Sequence, residues 1–418
     1  MRPSRLSAVA AVLLLAACAA PEDHERLVTV DANVLATFLA DKPPQLHAQY
    51  ERVLTEGERN RVLNHMRAGL AAMELGDEAV AASSFDAALN RIEAIYADNE
   101  KAERARSMFV KENFKDFKGE PYERAMAFYY RGLLYLREGD YENARASFKS
   151  GMLQDSFAES EKYQADFALM AFLEGWASHC LGKADLAKES FAEATRLRET
   201  LAGPPEDHDL LLIAETGSSP IKIARGRYRE RLEYQRGGDL VDGAIFLVAE
   251  AERPAARIEA RLAEDIYWQA STRGGRHVQA VLDGKVRFKD TADAVGDVAY
   301  VGGVALMAKG SEEDDKTATY AGLGLLIASV IAEGIAASTR PDADIRYWDN
   351  LPDRVHLATA KAPSRPFAVS VEYTAAETRD DDSAQPVEIF RAGRCAIGWS
   401  RSRPAADIPV SAPGAVKP

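Results

Sequence analysis

Five positions recur three times along this chain at unchanged offsets. Gly69, Gly76, Ala81, Phe85 and Ala88 return as Gly132, Gly139, Ala144, Phe148 and Gly151, and again as Gly175, Gly182, Ala187, Phe191 and Ala194. One such coincidence carries little weight, but three with the same internal spacing mark a repeated supersecondary unit. A unit of this size cannot bury its apolar face alone, so the copies are expected to stack on one another.

The offsets resemble those of the tetratricopeptide repeat. In that family small residues let two antiparallel helices approach, and an aromatic on the second helix fills the gap. Gly76-Asp77, Gly139-Asp140-Tyr141 and Gly182-Lys183 then fall at the turn between helices, where glycine accommodates the left-handed backbone. The resemblance implies an α-solenoid over residues 56–203, with Phe85, Phe148 and Phe191 as core. The period departs from the family: Gly69 to Gly132 is 63 residues and Gly132 to Gly175 is 43, where a regular array advances by about 34. The charged, helix-prone stretch from Ile92 to Lys118 accounts for the longer step, by lengthened helices or an added pair. Solenoids bind partners on a broad curved face, so the first helix of each pair supplies the candidate protein-binding residues: His65, Arg67, Tyr129, Arg131, Glu174 and Ser178.

The start of the chain addresses the compartment. Arg2 and Arg5 precede an apolar run from Ala8 to Leu15, which ends in Leu15-Ala16-Ala17-Cys18. This is the layout of a secretory signal, and it is too short for a membrane span of about 20 apolar residues. The last four residues resemble the lipobox of bacterial lipoproteins. That resemblance implies cleavage after residue 17 and acylation of Cys18, and Ala19 in place of an aspartate implies sorting to the periplasmic face of the outer membrane. Residues 18–55, with Pro21, Pro43 and Pro44, read as a spacer leading into the fold.

Removal of residues 1–17 takes Arg2 and Arg5 from the 52 basic residues and nothing from the 65 acidic ones, leaving a formal balance of −15. Affinity for DNA comes chiefly from Lys and Arg neutralising phosphate, so no nucleic-acid partner is expected. About 400 mature residues exceed what one core usually organises. Two cysteines remain, Cys180 and Cys395. An oxidising periplasm permits a disulfide between them, but nothing in the sequence brings them together. Cys180 also lies among helical apolar residues, where a buried thiol is the commoner outcome.

After Gly203-Pro204-Pro205 the pattern changes to a mixed α+β region over 204–401. Leu210 to Ala214 reads as a strand, followed by a turn at Glu215-Thr216-Gly217-Ser218-Ser219-Pro220. Lys222, Arg225, Arg227, Arg229, Arg231 and Arg236 form the most basic segment. It suits an anionic glycan or lipid head group, but its interleaving with Glu230 and Glu233 reads as a solvated face. Residues 255–309 read as helical stretches with breaks at Gly274-Gly275 and Gly284. The small-residue stretches 291–309 and 318–339, joined through Glu312-Glu313-Asp314-Asp315, suggest a tightly packed helical hairpin. A membrane-active oligomer that inserts this hairpin is the alternative, which Glu333 and the many alanines disfavour. From Ile345 the reading is β: Val355 to Thr359, Phe367 to Tyr373 and Val387 to Trp399 suggest a small antiparallel sheet. The Pro- and Ala-rich tail, residues 402–418, reads as disordered.

The segment Asp344-Ile345-Arg346-Tyr347-Trp348-Asp349-Asn350-Leu351-Pro352 resembles a motif of a family of conserved bacterial lipoproteins that also carry tetratricopeptide-like repeats first. The resemblance implies an envelope-assembly or cell-wall-synthesis role by association and brings no activity with it. Read from the residues, Trp348 and Leu351 are core anchors of a loop, and Asp344 with Arg346 is a local ion pair.

Catalytic signatures are missing from the sequence. There is no His-Glu-x-x-His pair, no cysteine pair at zinc spacing, no Gly-x-Ser-x-Gly elbow and no phosphate loop. His179 and Cys180 are adjacent in a helix and point to different faces. Carboxylates are numerous enough for a hydrolytic pair to assemble on folding, which leaves a cell-wall hydrolase as the remaining alternative. The expectation is a lipid-anchored scaffold or adaptor that contacts envelope proteins, without enzymatic activity, metal or cofactor.

Overall fold

A computed structural model describes residues 27–97, 116–156, 166–226, 229, 231–238, 241–250, 253–273, 343–375 and 384–402. Cys18, the expected hairpin at 291–339 and the tail beyond residue 402 lie outside them. The architecture is α+β: helices in the first half, sheets in the second.

The helical part opens with α1 (Ala32–Leu39) and α2 (His47–Thr55), joined through a single 3₁₀ turn. Six helices follow in three pairs: α3 (Arg61–Glu74) with α4 (Glu78–Ala97), α5 (Pro121–Glu138) with α6 (Tyr141–Ser156), and α7 (Ala168–Cys180) with α8 (Ala184–Leu197). Consecutive helices of the six pack on one another. The repeated positions explain the pairing. A Cβ on Gly132 would lie 2.4 Å from the Phe148 ring, and one on Gly175 would lie 2.7 Å from Phe191. Gly69 faces Phe85 in the same way, at 3.3 Å. The first helix of each pair therefore gives up a side chain so that a ring on the second can sit against its backbone. The turns are closed by Gly76, Gly139 and Gly182, all left-handed, with φ of 77°, 77° and 73°. At Gly139 the next amide, from Asp140, donates back to the Tyr135 carbonyl and satisfies the end of α5. The start of α5 is equally defined: Pro121 occupies the first turn, and Glu120 and Glu123 form a reciprocal capping box.

Part of the expected spacer is folded. Leu46, Tyr50 and Val53 are buried, and the Tyr50 hydroxyl lies 2.7 Å from Ser84 Oγ on α4. Pro43 and Pro44, two of the prolines that suggested a spacer, serve instead as a helix start, since Pro44 opens the 3₁₀ turn.

Eleven strands among the described residues form three sheets. The largest has five, in the order β10 (Ile389–Ala392), β11 (Cys395–Arg401), β1 (Leu210–Thr216), β7 (Arg354–Ala360), β6 (Arg261–Asp265). It is mixed rather than purely antiparallel. The long intervening chain lets β11 arrive beside β1 in the same direction, with Leu210 opposite Ala396 and Ile213 opposite Trp399. A second sheet of four runs β5 (Ala256–Glu259), β4 (Val241–Glu250), β8 (Phe367–Ala375), β9 (Gln385–Val387). β2 (Ile221–Arg225) and β3 (Arg231–Gln235) pair as a hairpin, and a short α9 (Ile266–Arg273) follows β6. Residues 256–265 were expected to be helical. Their Ala, Glu and Arg favour helix intrinsically, and pairing with β4 and β7 overrides that preference.

Strand β1 explains the layering. All seven of its residues are buried, because it has a different core on each face. Leu211 and Ile213 join the helices, together with Val355, Leu357, Ile397, Trp348 and Leu351. Leu210, Leu212 and Ala214 face the four-stranded sheet, where they meet Phe246, Val248, Val369 and Val371. The result is three layers: helices, a mixed sheet, and an antiparallel sheet. The first core draws on residues from both sides of position 204.

Candidate functional site

Of the six candidate binding residues, Tyr129 and Arg67 contact the second half of the chain, while Arg131 and Glu174 pair within the helical layer. Tyr129 is fully buried on α5, and its hydroxyl donates to Glu215 Oε1 at 3.0 Å. Ser178 is fully buried on α7. Arg67, on α3, donates to Asp349 Oδ1 at 2.7 Å and to the Tyr347 carbonyl at 3.0 Å. Arg131 is 8% exposed, donates to Asp86 at 2.7 Å and stacks on the Tyr135 ring. Glu174 lies 3.6 Å from Arg145 across the α6–α7 pair. His65 is mostly buried; burial and then the nearby Arg61 and Lys42 hold its pKa down to about 4, so it is neutral at pH 7. Tyr129 and Ser178, named as candidate protein-binding residues, have no exposed surface in the folded chain. The first helices do carry polar groups inward, but the inward face is covered by the chain's own second half.

The seam is organised by Glu215, near the end of β1. Its carboxyl group accepts from Tyr129, from Tyr130 at 2.9 Å and from Trp399 Nε1 at 2.9 Å. Arg401 Nε is 3.1 Å away. Burial pushes the Glu215 pKa up, against Arg401 and these three donors, which favour the charged form. Arg401 also pairs with Glu74 at the end of α3 and donates to the Asn350 carbonyl at 2.8 Å. One guanidinium thereby joins α3, β1, β11 and the 343–353 loop. Both oxygens of Glu215 accept from the chain's own donors, so the group acts as a clasp between layers.

Two further buried clusters repeat that design. Glu123 on α5 accepts from the Trp348 amide at 2.7 Å, and Lys222 on β2 lies 3.4 Å from it and 3.2 Å from Glu120. Glu264 on β6 accepts from the Gln269 side chain at 3.1 Å and faces Arg198 at 3.4 Å. Burial, opposed by Arg198 and Gln269, raises the Glu264 pKa to about 7. The basic segment read as a solvated face is partly internal. Lys222 is buried between Glu120 and Glu123, and Arg236 bridges Asp265 at 2.7 Å and Asp353. Arg346 and Asp344 do form the local pair expected of them, at 2.7 Å.

Cys180 and Cys395 are joined in a disulfide with Cα atoms 5.7 Å apart. The buried free thiol read from the sequence is therefore replaced by a bridge from the end of α7 to the start of β11. It spans 215 residues and ties the helical layer directly to the central sheet. Local sequence had no means of showing this, because parallel pairing of β1 and β11 is what carries Cys395 to the helix end.

An open cleft of about 660 Å³ lies where the α3–α4 turn meets β10. Leu75 and Phe390 line it with Asp77, Glu78 and Glu388. Glu78 is engaged by Arg137 at 2.8 Å, and Asp77 caps the Val80 amide at 3.1 Å. Its chemistry suits a cationic side chain better than an anion. Among the described residues no group of three or more His, Cys, Asp or Glu is placed to hold a metal, and no helix is long and apolar enough to cross a membrane. No family model, no curated protein and no solved structure matches the chain.

Proposed function

We propose that this chain is a lipid-anchored scaffold or adaptor on the periplasmic face of the outer membrane, contacting other envelope proteins in cell-envelope assembly or cell-wall synthesis. The observation that carries the reading is Leu15-Ala16-Ala17-Cys18 behind Arg2, Arg5 and an apolar run. The Cys180–Cys395 bridge supports it independently, since such bonds persist in oxidising compartments. The three helix pairs, each with glycine against phenylalanine, support a tetratricopeptide-like solenoid.

In this reading the solenoid's inner face is spent on the chain's own sheet, and partners meet the outward second helices. Leu153 on α6 and Leu186 on α8 are exposed there, 57% and 38%, among Glu142, Lys149, Asp185 and Lys188. A photo-crosslinking amino acid at Lys149, Leu153 or Leu186 in living cells tests it. The reading expects a discrete adduct with an envelope protein from these positions. Uniform failure to crosslink at all three contradicts partner contact through the second helices.

A further inference from the structure

The first described element has an apolar surface that the fold does not use. Helix α1, Ala32–Leu39, contains no charged residue and no buried one. Phe38 and Leu39 turn inward, and the Phe38 ring meets Tyr50 edge-on at 6.2 Å. Val34 points the other way and is 56% exposed; Leu27 and Val28, just upstream, are 56% and 52% exposed. These are three of the eight large apolar side chains exposed among the described residues, and they fall within eight positions of one another. The strip is held in place: the Val28 amide donates to the Thr55 carbonyl at 2.6 Å, and Asp31 caps α1 through the Asn33 amide at 2.8 Å.

Its position in the chain indicates what covers it. Leu27 is nine residues after Cys18, a distance that an extended chain bridges with roughly 30 Å at most. If Cys18 carries lipid, as the proposed function holds, the strip is tethered within that distance of a bilayer. We propose that Leu27, Val28 and Val34 rest in the headgroup–acyl boundary of the membrane. Together with the lipid they form a two-part attachment that sets the orientation of the helical layer. A lipid chain and a protein surface acting together hold more firmly than either alone.

The test separates this surface from the acylation on which it rests. The chain has three cysteines and two are bridged, so mature protein beginning at Cys18 offers one free thiol. Coupling it to a maleimide phospholipid in phosphatidylethanolamine–phosphatidylcholine vesicles supplies an anchor whether or not cells acylate this residue. Val34→Trp, compared with unsubstituted protein, adds one emission component, and brominated acyl chains quench tryptophan at the boundary. The proposal expects that component to shift to the blue on coupling and to be lost in brominated vesicles. Leu153→Trp, at an exposed position on α6 that the proposal leaves off the membrane, is expected to remain unquenched. Emission from position 34 that stays water-like on the vesicle overturns the proposal. So does emission that is already blue-shifted without vesicles and immune to bromine, which assigns the strip to contact with another part of the chain. Absence of lipid on Cys18 in cells, with quenching intact in the coupled protein, defeats the acylation and leaves the surface standing.

Discussion

Glycine against phenylalanine is the contact from which the helical layer is built, and its consequences are measurable one residue at a time. Phe148→Ala empties a fully buried position and is expected to cost about 3–5 kcal/mol of unfolding free energy by denaturant titration. Gly132→Ala errs in the other direction: its new methyl would lie 2.4 Å from the ring, with an expected cost of about 1–3 kcal/mol. Glu264 supplies a pH test. Its folded pKa of about 7 lies above the ordinary 4.5. Between those values the folded state holds more protons than the unfolded one, so stability falls as pH rises through this window and levels off above it. Glu264→Gln is expected to flatten that slope, read from urea midpoints between pH 4.5 and 8; an unchanged slope removes Glu264 as its source. At this scale the sequence was legible where a residue's role is local. The glycines, Phe85, Phe148, Trp348 and the Asp344–Arg346 pair stand as read, while Phe191 is only partly buried against the core. Tyr129 and Arg67 were recognised as notable polar residues, but their partners within the chain were not. Their partners Glu215 and Asp349 lie 86 and 282 positions away, and no local pattern encodes that distance.

Elements meet across the seam through Arg401, Lys222 and the disulfide, and of these the disulfide is the most separable. Cys180→Ser is expected to lower stability by about 2–4 kcal/mol, because closing a long loop restricts the unfolded chain. Reductant is expected to bring the unsubstituted protein to the same urea midpoint and to leave the variant unaffected. A variant as stable as its parent shows that the layers hold without the bridge. The strands β7, β8 and β11 were readable from their β-branched and aromatic residues. β5 and β6 were not, since Ala-Arg-Ile-Glu and Arg-Leu-Ala-Glu-Asp favour helix until neighbouring strands claim them. The parallel join of β1 to β11 was equally hidden, although it gives the sheet its mixed character and brings the two cysteines together.

At the scale of the molecule, the described helix pairs pack on one face of a mixed sheet, and a second sheet packs on its other face. In the proposed reading, this layered body presents the second helices of each pair to partners. The central claim is that this unit is carried on a lipid at Cys18. Labelled palmitate fed to cells, followed by separation of inner membrane, outer membrane and soluble periplasm, tests it most directly. The account predicts label in the unsubstituted chain and recovery in the outer-membrane fraction, with Cys18→Ser unlabelled and either uncut or soluble. Label retained by Cys18→Ser, or its unchanged recovery as a processed outer-membrane protein, would contradict the account.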